Sequence, residues 1–226
     1  MKHLYSNLQR YFHFYKYEIL GVALLQHLFI GIFIHDLDLY IHYIWPLNMV
    51  IVGIASIGVY IEKEWWKRLI KNGLLMILIG MPISLWFHFE VSISFLIWIN
   101  ILYFIFFSFI FFEILKFLFQ PNYINLDLIV ASICGYLLLI ELATFAFQLF
   151  FYQYPNCFIG VHGVNPVDTY ASFIYFSTVT ITGIGFGDIS PTMHYTKLLT
   201  SLFGIAGQLY SVLLIGILIS KFSNRK

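Results

Sequence analysis

Charged side chains are scarce in this sequence. Asp, Glu, Lys and Arg make up 10% of its 226 residues, against about 25% in soluble domains, too few to cover a water-facing globule of this length. A net charge of +1 gives no electrostatic footprint for a nucleic acid, and none is expected as a partner. The only two cysteines, Cys134 inside an apolar run and Cys157 in a loop, provide no disulfide framework and read as free thiols. The eight histidines form neither HxxxH nor HxxH pairs, so no zinc-site spacing is present. No Ser/His/Asp set or carboxylate pair suggests an enzyme, and no cofactor is expected. The first apolar run is followed by no small-residue cleavage pattern, so no removable signal peptide is expected.

What fills the chain is apolar surface: 61% of residues are hydrophobic and 20% aromatic. A run of about 20 apolar residues crosses a bilayer. Uncharged runs at 19–34, 43–61, 73–87, 93–112, 128–151 and 195–220 predict six spans, the third being the shortest. Lys2, Arg10 and Lys16 precede the first run, and Lys63, Lys67, Arg68 and Lys71 lie between the second and third. Lys116 separates the fourth and fifth, while Lys221, Arg225 and Lys226 follow the sixth. With both termini cytoplasmic, every basic residue except Lys197 falls inside, as the positive-inside rule requires. Trp65 and Trp66 then mark the inner interface, and Trp45 and Trp86 the outer one. The expectation is an integral protein of the plasma (inner) membrane, with the lipid bilayer as its first partner. Residues 1–16 read as a basic, aromatic interfacial segment.

Between the fifth and sixth spans the pattern breaks. Residues 170–179 are apolar but about ten residues long, too short to cross. They lead into Thr180-Ile181-Thr182-Gly183-Ile184-Gly185-Phe186-Gly187-Asp188. Non-helical backbone at membrane depth persists only where protein buries it or it lines a water-filled cavity. A half-length helix followed by alternating glycines therefore predicts a re-entrant pore element. Glycine at alternate positions lets successive carbonyl oxygens point the same way, and oxygens so arranged replace an ion's hydration shell.

Ile184-Gly185-Phe186-Gly187-Asp188, preceded by Tyr175-Phe176-Ser177-Thr178-Val179-Thr180, resembles the filter and pore-helix ending of the potassium-channel pore family. The resemblance covers residues 127–226; the four preceding spans match the peripheral helices of six-span channels by topology alone. It implies an all-α membrane protein of six transmembrane helices plus a re-entrant pore helix and selectivity-filter loop. Because each chain supplies one filter strand, it also implies a homotetramer around one pore. Residues 17–118 would form a peripheral four-helix domain and 127–226 the pore domain. Passive, potassium-preferring conduction is implied, with Thr182, Gly183, Ile184, Gly185, Phe186 and Gly187 as the ion-binding segment. Potassium ions would sit at the carbonyls of Gly183, Ile184, Gly185 and Phe186. Asp188, Tyr175, Thr180 and Glu141 are the expected filter supports.

The sequence departs from the family in three places. Gly183 stands where a second threonine usually completes the innermost ion site, which keeps a weakly selective sodium- and potassium-permeable channel open as an alternative. Gly183→Thr is expected to raise selectivity. Phe186 replaces tyrosine. Residues 95–112 carry no arginine or lysine, so the fourth span is not expected to sense voltage. A non-conducting partner subunit is a further alternative.

Gly207, Ser211, Ile215 and Ile219 recur at four-residue spacing on the sixth span. They read either as a hinge glycine above a gating face or as close helix packing. Glu141, within the fifth span, either braces the filter, titrates as a sensor, or is a protonated acid satisfied by a neighbouring helix.

Overall fold

The computed structural model describes residues 14–36, 39–59, 92–119, 126–161 and 166–223. The expected third span and most of the N-terminal interfacial segment lie outside the described residues, as do Trp65, Trp66 and Trp86. The chain divides into two compact units, Met1–Phe89 with Phe109–Gly135, and Glu90–Ser108 with Tyr136–Lys226.

Six α-helices are described: α1 (Lys16–Phe29), α2 (Trp45–Ser56), α3 (Ile93–Phe119), α4 (Leu126–Gln153), α5 (Pro166–Thr182) and α6 (His194–Ser223). A 3-10 turn, Ile30–Phe33, continues α1, and a π-helical turn, Tyr40–Ile44, leads into α2. The strands β1 (Phe158–Ile159) and β2 (Ser190–Pro191) pair antiparallel, Phe158 opposite Pro191 and Ile159 opposite Ser190. Among the described residues four segments are long and apolar enough to span: Lys16–Phe33, Ile93–Phe119, Leu126–Gln153 and His194–Ile217. The protein is an all-α membrane protein, and the two-residue strand pair is, among the described residues, its one departure from helix in regular structure.

In the first unit, α1 packs along α2. A half-buried polar link joins them, Gln26 Nε2 donating to Asn48 Oδ1 at 3.1 Å. The rings of His27 and Trp45 lie 6.5 Å apart. Trp45 is 1% exposed, so it fills the core of this unit and does not serve the outer aromatic belt expected of it. Gly21 allows close approach to α4, since a Cβ there would lie 3.3 Å from Cys134 Sγ. Both cysteines are free thiols.

The second unit is organised around an aromatic core. Phe147 of α4 meets Phe176 of α5 at 5.0 Å and Phe203 of α6 at 5.5 Å. Phe158 of β1 meets Phe173 of α5 edge-on at 5.1 Å. Edge-to-face rings of this kind contribute about 0.5–1.5 kcal/mol beyond their area, and here they fix α5 between the two long helices.

Candidate ion-conduction site

α5 begins earlier and ends later than the apolar run predicts. Pro166 occupies its first helical position, where a missing N–H costs nothing, and Asp168 faces the positive end of the helix dipole. At the other end Gly183 has φ +78°. Its N–H donates to the Thr180 carbonyl at 3.2 Å, and the Ile184 N–H donates to the Val179 carbonyl at 3.0 Å. This is a Schellman termination with Gly183 at the left-handed position. The Thr182 hydroxyl turns back to the Thr178 carbonyl at 2.7 Å. At 17 residues the helix is about 25 Å long, short of the roughly 30 Å of a bilayer core.

Beyond the cap, Gly185 has φ +61° and Gly187 φ +81°. Residues 183, 185 and 187 thus all occupy backbone conformations that favour glycine, with Ile184 and Phe186 between them. Residues 182–188 are all exposed in the single chain. A Cβ on Gly185 or Gly187 would meet nothing within 4 Å of its own chain. Threonine at position 183 would be a β-branched residue at φ +78°, an outlier conformation, so Gly183→Thr is a strained substitution on the present backbone.

Two layers support this segment. Behind it, the rings of Tyr175 and Phe186 stack, 6.5 Å apart and within 2° of parallel. The Tyr175 hydroxyl hydrogen-bonds the Asp188 carboxylate, holding it below the usual carboxylate range. Deeper, the Tyr170 hydroxyl lies 2.9 and 3.0 Å from the two carboxyl oxygens of Glu141, and Glu141 is fully buried. That pairing ties α4 to the back of α5. Thr144 Oγ1 lies 3.1 Å from Ser177 Oγ and adds a second tie. Of the predicted supports, Thr180 acts through its carbonyl, which accepts the Gly183 cap bond.

The end of the glycine segment next to Asp188 is latched by residues that sequence reasoning missed. The Cys157 carbonyl accepts from the Thr192 N–H at 3.0 Å and the Thr196 hydroxyl at 3.2 Å. Burial pushes the Cys157 thiol up to about 11. Gly160, φ +83°, lies so close to Asp188 that a Cβ would come within 2.0 Å of its carbonyl oxygen. The only sequence signal for this latch is a lone glycine after a short apolar pair.

The four residues predicted to share a face of α6 separate. Gly207 is buried, and a Cβ there would stand 2.6 Å from the Ile181 carbonyl oxygen. Ser211 returns its hydroxyl to the Gly207 carbonyl at 3.0 Å. Ile215 and Ile219 are 55% and 63% exposed. Each four-residue step turns a helix about 40° beyond a full revolution, so the series winds off its starting face. Gly207 is a close-packing glycine in this structure.

Residues 136–224 match the family model described as ion channel. No curated protein and no solved structure matches the chain.

Proposed function

We propose that the chain, whose residues 136–224 match the ion-channel family model, forms a homotetrameric channel for passive, potassium-preferring cation conduction. The observation that carries the reading is the run of left-handed glycines at 183, 185 and 187 directly after a helix too short to span. Carbonyls of Gly183, Ile184, Gly185 and Phe186 would replace water around the ion. The exposure of residues 182–188 in one chain supports a site completed by other copies. The negative end of the α5 dipole points into the same region and favours a cation.

Conduction is not steered by voltage through α3. Its only charges are Glu113 and Lys116 near one end, and voltage acts by about 2.3 kcal/mol per charge per 100 mV on charges that cross the field. A weakly selective sodium- and potassium-permeable pore is the second reading. It is favoured by Gly183, which has no hydroxyl, and by Thr182, whose hydroxyl is spent within α5.

Purified protein in vesicles under opposed potassium and sodium gradients tests both. A reversal potential near the potassium equilibrium value supports the first reading, and one near zero supports the second. Absence of any flux refutes conduction.

A further inference from the structure

We infer that Gln208 is a specificity-determining residue of this channel, supplying from α6 the polar group that Gly183 lacks at the inner end of the filter; this rests on the filter reading above. A Cβ on Gly183 would lie 3.2 Å from Gln208 Nε2, so the carboxamide already occupies the space beside residue 183. The approach is enforced by its neighbour. Gly207 presses α6 against the Ile181 carbonyl, and one residue further round the helix Gln208 reaches past the end of α5 to the capping glycine.

The side chain is exposed in the single chain, as is the whole of residues 182–188. It heads a stripe continued by Val212, Ile215 and Ile219, at four, seven and eleven residues on, all more than half exposed. That spacing keeps one face of a helix. Gln208 is therefore the polar head of an otherwise apolar stripe running inward from the filter. Its chemistry suits the position: the amide nitrogen donates to backbone carbonyls, and the amide oxygen coordinates a cation. Four such groups around an axis form a ring of neutral oxygen ligands where hydroxyls are missing, held by side chains instead of by the filter backbone.

The test uses the full chain in planar bilayers, with potassium, sodium and inner- or outer-side magnesium as probes. Gln208→Leu is expected to lower the potassium-over-sodium permeability ratio by about threefold or more, with Gln208→Asn intermediate. Gln208→Glu is expected to tighten magnesium block from the inner side by about tenfold and leave outer-side block unchanged, since attraction is local and screened within about 10 Å. A purely structural side chain would change assembly or conductance without that sidedness. If Gln208→Leu fails to assemble, the sidedness of Gln208→Glu decides. Permeability ratios and block that match the unaltered channel in both variants overturn the inference. Gly187→Ala separates the two layers: normal flux through it removes the filter reading itself, whereas lost flux there with indifferent Gln208 variants removes only the role of Gln208.

Discussion

The unit that holds α1 and α2 and the unit that holds α5 and α6 store their specificity differently. In the first unit, α1 and α2 meet through apolar packing with one amide pair, Gln26 with Asn48, crossing between them. In the second, distant segments are held at their main chains as well as through side chains. The Thr192 N–H donates to the Cys157 carbonyl, Gly160 and Gly207 press against the carbonyls of Asp188 and Ile181, and Tyr170 bonds to Glu141 between side chains. Apolar helix packing tolerates substitution of similar volume. Backbone-to-backbone contact at a glycine does not, because no rotamer change can relieve it. Packing between α1 and α2 thus needs little more than shape, whereas the contacts at Gly160 and Gly207 need the main chain fixed.

The contrast is broken most severely at Gly160. Gly160→Ala places a methyl group against the Asp188 carbonyl and demands a left-handed alanine. Left-handed strain of about 1–2 kcal/mol and overpacking of about 1–3 kcal/mol together should lower the protein's thermal stability in detergent, read by size-exclusion after heating. A size-exclusion profile after heating that matches the unaltered protein would refute the latch. Next comes Gly207→Ala, expected to destabilise by about 1–3 kcal/mol because the Ile181 backbone cannot yield. Gly216→Ala, with nothing within 4 Å, is its control and should leave the melting temperature unchanged or raised. Equal melting behaviour of the two would remove the close-packing role.

A smaller effect concerns acid. The Tyr175 hydroxyl depresses the Asp188 pKa, so the folded mouth favours the carboxylate. Its contribution is complete above the ordinary value of about 3.9 and is lost as pH falls through the depressed one. Tyr175→Phe should shift acid inactivation of flux to higher pH; an unchanged acid limb in a pH titration of conductance would show that the bond is idle. The smallest change is expected between α1 and α2. Gln26→Leu should cost about 0.6 kcal/mol, the average for polar pairs between membrane helices, and leave ion selectivity unaltered. A changed reversal potential there would show that this helix pair acts on the filter.

Much of this division was legible in the residues. The apolar runs at the first, fourth, fifth and sixth positions correspond to described helices because length and hydropathy alone determine them. The glycine alternation announced an unusual backbone, and each of Gly183, Gly185 and Gly187 has positive φ. The bounds of α5 were less legible: its threonines look like poor helix formers, but Thr182 bonds back to Thr178 and Gly183 ends the helix a turn later than the apolar run suggests. Gly160 and Gln208 were not legible as functional positions. Their meaning lies in contacts with residues far along the chain, and no local period encodes those. Gln208 left one trace, as the single amide in α6.

Two of the attachments of α6 also make it a lever. Near its N-terminal end the Thr196 hydroxyl is shared between the Met193 carbonyl at 3.0 Å and the Cys157 carbonyl at 3.2 Å, and Gly207 rests on Ile181 as a fulcrum. From the fulcrum, the arm to Thr196 is about 17 Å and the arm to Ile219 about 18 Å. With arms so nearly equal, swinging the C-terminal tip by about 3 Å as a rigid rod would carry the Thr196 end about as far the other way, enough to break a hydrogen bond. A bend of α6 below Gly207, along the stretch that carries Val212, Ile215 and Ile219, leaves that contact in place.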